Sequence, residues 1–158
     1  TKVEEVYLPE ILEEAKLLIK NKDQKEIVYN ISEDFPLIEA DKDRLIQVFV
    51  NLLENAAKYA SEGSEIVVDT AVGDGNAKIF VKNDCEVIPP KKLNKLFEKF
   101  IRLDDNTTRT TRGTGLGLFI VKGLIEAMNG EIKLHSDKDC GFCAEVTLKL
   151  SQVAGAVK

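Results

Sequence analysis

Apolar residues change their spacing along this chain, and each change marks a new element. Ile11, Leu12, Ala15, Leu18 and Ile19 recur every three or four positions to about Lys20, which predicts one face of a helix. Pro9 stands in its first turn, where a missing amide hydrogen costs nothing. Residues 3–8 before it predict a short strand. Between 26 and 31 the spacing drops to two, with Ile27, Tyr29 and Ile31 on one side, as in a strand. Phe35-Pro36 breaks that pattern, and residues 37–40 predict a short edge strand. Asp41 is a good N-cap, because its carboxylate can accept from a free amide of the first turn. A long helix follows to about Ala60 with a stripe of Leu45, Val48, Phe49, Leu52, Leu53 and Ala56.

Beyond Ala60 the period returns to two. Strands are predicted at 65–72 and 77–82 around Gly73-Asp74-Gly75-Asn76, a hairpin turn signal. Pro89-Pro90 opens a short helix through Leu96 and Phe97. A helix from about Leu116 to Met128 stops at Asn129-Gly130, a C-cap pair. Strands at 131–136 and 143–150 close the chain, and 151–158 reads as a frayed tail. The order of hairpins and helices predicts an α/β two-layer sandwich, with a mixed, mostly antiparallel sheet and about three helices on one face. One domain is expected over residues 1–150.

Residues 102–113 fit neither period. They hold four Thr, three Arg and two Asp, a length of polar loop that compact domains keep for functional lids. Composition narrows the function classes. With 44% hydrophobic and 31% charged residues the chain reads as soluble and globular. Its net charge is −5 and it has no basic stripe with interleaved aromatics, so nucleic acid is not an expected partner. No apolar run reaches the ~20 residues of a membrane helix. Lys2, Glu4 and Glu5 rule out a signal-peptide pattern at the start, and the absence of an initial Met suggests a piece of a longer protein. Three cysteines, an odd count, read as reduced and cytoplasmic. Cys140-Gly-Phe-Cys143 has redox or metal spacing. It heads a strand rather than a helix, however, and His135 is the only histidine, so the pair is expected to be structural.

Three segments could carry chemistry. Asn51, Asn55 and Lys58 follow a spacing of four then three, so they share a helix face beside the apolar stripe. Mid-helix asparagine is intrinsically unfavourable. A carboxamide oxygen beside a lysine would suit a hard cation and a phosphate. The same face also suits solvent, with Glu54 and Lys58 as a surface pair. Gly113-Thr114-Gly115-Leu116-Gly117-Leu118 lets backbone amides approach an anion at a helix start. No Lys-Ser or Lys-Thr follows, so it is not a P-loop; a tight loop-to-helix turn is the plainer alternative. Leu96-Phe97-Glu98-Lys99-Phe100 reads as core or as an anchor for the lid. Val81-Lys82-Asn83-Asp84 ends a strand with polar groups that could face a ligand.

In this order the segments resemble the catalytic and ATP-binding domain of sensor histidine kinases, in the superfamily that includes gyrase and MutL-type ATPases, the Bergerat fold. Asp43 to Val48 running into Asn51-Leu52-Leu53-Glu54-Asn55-Ala56-Ala57-Lys58-Tyr59 is similar to the asparagine box. Residues 96–102 resemble the phenylalanine box, and Arg112-Gly113-Thr114-Gly115-Leu116-Gly117-Leu118 the second glycine box. The resemblance spans residues 3–150. It implies Asn55 as a Mg²⁺ ligand supported by Asn51, Lys58 on phosphate and Tyr59 against the nucleotide. It also implies amides from Gly113 to Leu118 on the phosphates, and a lid at 102–112. The first glycine box departs from the family's Asp-x-Gly-x-Gly. Asn83 stands at the aspartate that accepts from the adenine amine, and Cys85 and Val87 at the glycines. Asn83 can accept without charge assistance, and Asp84 is the alternative acceptor.

The resemblance also shapes the expected reaction. Hydrolysing members of the superfamily carry a general-base glutamate four residues before the metal-binding asparagine. Asn51 stands there and cannot act as a base. ATP with Mg²⁺ is therefore expected to phosphorylate a histidine of a separate dimerisation and phosphoacceptor domain, with a response regulator downstream. His135 lacks the acceptor context and is expected to be structural. The isolated domain is expected to be monomeric. A docking module with a degenerate site and an anti-sigma serine kinase are the alternatives.

Overall fold

A computed structural model describes residues 2–21, 24–98 and 117–152. In chain order the elements are β1 (Glu4–Val6), α1 (Leu8–Leu18), β2 (Ile27–Asn30), β3 (Ile38–Ala40), α2 (Lys42–Tyr59), β4 (Ile66–Gly73), β5 (Asn76–Asn83), α3 (Pro90–Lys95), α4 (Gly117–Ala127), β6 (Glu131–His135) and β7 (Phe142–Lys149). Five strands form one sheet in the order β2-β4-β5-β7-β6. β2 runs parallel to β4, and the other neighbours are antiparallel. The expected mixed, mostly antiparallel sheet is therefore present. The Asp74-Gly75 turn joins β4 to β5 with both residues at positive φ (54° and 78°), as a two-residue hairpin with the right-handed twist of its strands requires.

One element differs from expectation. Residues 38–40 do not form an edge of the main sheet. β3 pairs with β1 in a separate two-stranded sheet, from Glu4 opposite Ala40 to Val6 opposite Ile38. A single bridge from Ile38 to Leu150 links this pair to the main sheet. Ser151, expected in the loose tail, is buried: its amide donates to the Leu37 carbonyl at 2.9 Å and its hydroxyl meets Glu5. The packed structure thus continues past residue 150.

The helical layer explains the apolar spacing. α2 lies between α1 and α4 and packs on β4 and β5, while α4 packs on β6. Leu45, Val48, Phe49, Leu52, Leu53 and Ala56 are all buried, as are Ile11, Leu12 and Ala15 of α1 and Leu118, Val121 and Ile125 of α4. Leu18, counted on the apolar face by spacing, is exposed because α1 ends there. Fully burying one such side chain contributes roughly 1.5–3 kcal/mol, so the α2 stripe is the main fastening of helices to sheet. On β5 the buried residues alternate as Ala77, Ile79, Val81 and Asn83. The last of these is polar, and it ends the row.

Helix α4 stops with a Schellman motif. Asn129 takes positive φ (61°), the Gly130 amide reaches the Ile125 carbonyl at 2.9 Å, and the Asn129 amide reaches Glu126 at 3.0 Å. Gly130 is needed for a different reason. A Cβ there would stand 2.6 Å from the Thr147 carbonyl oxygen.

Candidate functional site

The site builds up from α2. Asp41 caps the helix by accepting from the Arg44 amide at 3.2 Å. The Lys2 amide also donates to it at 2.8 Å, and this bond, together with Arg44, holds its carboxyl below the ordinary range. A helix fixed at this end sets the rotation of everything after it. Asn51 and Asn55 are half-buried at the border of the core, Lys58 is exposed, and Tyr59 is half-buried with the Lys58 ammonium 5.5 Å from its ring centroid. No hydrogen bond joins either carboxamide to another described residue, although interior amides ordinarily find partners. Glu54 accepts from the Lys20 amide at 2.8 Å, which ties α2 to the segment after α1.

The end of β5 meets the end of α2. The Ser61 amide donates to the Asp84 carbonyl at 2.9 Å, one residue beyond the Ala60 cap. Asn83 is only 2% exposed and continues the inward row of Val81 and Ile79, whereas Asp84 is exposed. The Asn83 Nδ2 donates to the Asp84 carbonyl at 3.3 Å, and its Oδ1 has no partner. An unpaired buried acceptor costs about 1–3 kcal/mol, so this oxygen suits an incoming N–H donor such as an exocyclic amine. Gly141 supports the arrangement from behind. It has positive φ (67°) and bridges Asn83. Spacing alone did not single it out; the signal available was a glycine between two cysteines.

Gly117 is the first residue of α4, and no acidic side chain occupies the first turn. A Cβ on Gly117 would meet no described residue within 4 Å. Leu118 is buried at 8% exposure and anchors the helix start. Lys122 of α4 lies 5.6 Å from the Phe97 ring centroid, which joins the helix to the residues after α3. Arg112, Gly113, Thr114, Gly115 and Leu116 lie outside the described residues, as do the 102–112 segment and Phe100.

Other candidates fall elsewhere. His135 is on β6, its Nε2 2.8 Å from Glu145 Oε1. Cys143 is buried in β7 and its thiol is pushed up to about 12 by burial. Among the described residues no group of three or more His, Cys, Asp or Glu could hold a metal. An apolar groove between α1 and α2, lined by Leu17, Leu18, Ile46 and Val50, contains none of the asparagine row.

The chain belongs to the histidine kinase-, DNA gyrase B- and HSP90-like ATPase family, whose model matches residues 40–152. Within that family the likeness runs to histidine kinases. The sensor protein SrrB of Staphylococcus aureus (strain NCTC 8325 / PS 47) is 37% identical over 97 residues, which are 61% of this chain and 17% of that protein. The chain thus matches about a sixth of that relative's length. The full-length structure of ShkA in complex with AMPPNP aligns with a TM-score of 0.81 and 25% identity, over 98% of this chain and 32% of that one. The catalytic domain of histidine kinase ThkA aligns with a TM-score of 0.79 and 23% identity, over 95% and 97%. The fold is accordingly that of a histidine kinase catalytic domain, and the chain is an ATP-binding domain of this type.

Proposed function

We propose that this chain is the catalytic domain of a two-component sensor kinase, transferring the γ-phosphoryl of ATP to a histidine on a separate dimerisation and phosphoacceptor domain. A response regulator would then take the phosphoryl from that histidine. The observation that carries the ATP reading is the Asn83 Oδ1, buried and unpartnered where α2 meets β5. It is an acceptor in want of a donor, and the adenine amine is one.

The oxygen-only donor set of α2 fits Mg²⁺ brought in by a nucleotide. Asn55 would supply one ligand oxygen with Asn51 beside it, and phosphate oxygens would supply the rest. Bound there, Mg²⁺ would offset the charge of the β- and γ-phosphates. Lys58 would hold phosphate and Tyr59 would line the pocket. Arg112, Gly113, Thr114, Gly115, Leu116, Gly117 and Leu118 would present side-chain and backbone donors to the phosphates. The imidazole nitrogen of the acceptor attacks the γ-phosphorus, and ADP leaves with the electron pair of the broken P–O bond. The domain contributes position and charge stabilisation. Asn51 cannot take a proton from water, which favours transfer over hydrolysis.

No described helix is long and apolar enough to cross a membrane. A domain fed by ATP belongs on the cytoplasmic side of any parent protein. Supplying a helical-hairpin acceptor domain in trans with γ-labelled ATP tests the proposal. Acid-labile label on the hairpin histidine is the expected result. Acid-stable label on serine would point to an anti-sigma type of kinase, and ATP binding without any transfer would reduce the chain to a docking module.

A further inference from the structure

The turn from Asn83 to Pro89 carries the base end of the proposed site, and it holds no glycine. None of its residues takes positive φ, so ordinary backbone leaves several paths open to it and outside ties choose among them. It is tied from three sides. From the end of α2, the Ser61 amide donates to the Asp84 carbonyl at 2.9 Å. From the turn before β7, Gly141 packs directly against the segment. It forms a parallel bridge with Asn83, and a Cβ on it would stand 2.7 Å from the Cys85 amide nitrogen and 2.9 Å from the Asp84 Cα. From the end of β6, the Ser136 Oγ accepts from the Ile88 amide at 2.8 Å and donates to the Gly141 carbonyl, two roles that one hydroxyl can fill together. Ile88 is buried, so its amide needs a partner within the protein. The first two ties are backbone. The third is a half-buried side chain, and it joins the far end of the turn to the glycine that backs its near end.

We propose that Ser136 is a positioning residue for base recognition: its hydroxyl clamps the Asn83–Ile88 turn to Gly141, and this sets where the Asn83 Oδ1 stands for an incoming amine. The inference rests on the reading of Asn83 as the adenine acceptor and adds to it the residue that makes that acceptor selective. Ser136 spends its hydroxyl on Ile88 and Gly141, so it acts through the turn and not on the nucleotide. Without that hydroxyl the Ile88 amide and the Gly141 carbonyl lose this partner. The backbone of residues 83–85 is then free to part from Gly141, and the carboxamide no longer meets the base at a fixed angle. Misplacement of a positioning group by a fraction of an ångström to an ångström weakens what it positions. The phosphate end, which the proposed function places on α2 and the start of α4, is left as it was.

The test measures the affinities of Mg-AMPPNP and Mg-GMPPNP by calorimetry for the native chain, Ser136→Ala and Ser136→Thr, and follows hydrogen exchange at the Ile88 amide. The native chain is expected to prefer the adenine nucleotide. Ser136→Ala is expected to lose roughly 3- to 10-fold of that affinity, the scale of one weakened hydrogen bond, with the guanine nucleotide little affected and the Ile88 amide exchanging faster. Ser136→Thr keeps the hydroxyl and is expected to restore both preference and protection. Equal losses for the two nucleotides would make Ser136 merely structural and overturn the proposal, as would an unchanged preference or unchanged Ile88 protection in Ser136→Ala. Should Ser136→Ala not fold, Ser136→Cys, similar in size with a weaker donor and acceptor, is read in the same two ways. A native chain that binds both analogues equally, or neither, would instead sink the reading of Asn83 and the selectivity with it, while Ile88 exchange would still decide whether Ser136 holds the turn.

Discussion

The Ser61 amide donates to the Asp84 carbonyl at 2.9 Å, and this bond fixes the end of α2 to the end of β5. It matters because, in the proposed function, the two elements would carry opposite ends of one nucleotide. The asparagine row on α2 would face phosphates and cation, and Asn83 on β5 would face the base. Their relative position is set by backbone, not by flexible side chains.

Asn55→Ala should remove the Mg²⁺-dependent part of nucleotide affinity, roughly 10- to 100-fold on the scale of a bond to a charged group. Calorimetry with and without Mg²⁺ checks it. Equal affinities for variant and native chain in Mg²⁺ would remove Asn55 from the site.

Asn83→Val should separate stability from binding. The buried Oδ1 has no partner in the free protein, so an apolar replacement leaves Tm unchanged or higher. ATP affinity should fall about 10-fold or more, with the preference over GTP lost, as expected for one hydrogen bond of ~1.5 kcal/mol. A Tm that falls with binding intact would show that the carboxamide is structural.

Two glycines of the same region should respond in opposite directions to alanine. Gly123 sits exposed inside α4 with nothing within 4 Å of a new Cβ, so Gly123→Ala should stabilise by ~0.5–1 kcal/mol. Gly130→Ala places its Cβ 2.6 Å from the Thr147 oxygen and 2.8 Å from Leu148, and should destabilise by about 1–3 kcal/mol. Thermal melts of the two variants give the signs directly.

The outer face of the sheet should weaken in acid. Lys82 bonds Asp69 at 2.7 Å and Lys78 bonds Glu145 at 2.7 Å, and these bonds lower both carboxyl pKa values. Groups with a depressed folded pKa give stability that is complete above the unfolded range near pH 4–5 and is lost as pH falls through the folded value. Tm should hold between pH 7 and about 5 and drop below about 4. The Asp69→Asn, Glu145→Gln double variant should show a shallower drop; an identical acid profile would clear these two groups of the effect.

Much of the fold was legible because apolar spacing and turn chemistry agree locally. Asp41 reads as a cap from its type and place, and it caps; Asp74-Gly75 reads as a hairpin and turns with both φ positive. Residues 38–40 were misplaced because three residues carry no information about their partner, and β1 and Leu150 are distant in sequence. Asn51 and Asn55 stood out because asparagine is costly in mid-helix, and Asn83 because it is a polar residue at a strand end, standing at the aspartate position of the first glycine box. The corner of Gly141, Ser136 and Cys85 was illegible, since it exists only where two chain ends of a ladder converge.

β6 is the outermost strand of the sheet on one side, five residues long, with Glu131, Lys133 and His135 exposed or half-exposed. Its outer edge, paired with no other described strand, would otherwise template a further strand from another molecule. Short length and alternating charge remove most of what such an addition would gain, so this border resists fibre-like stacking at high protein concentration.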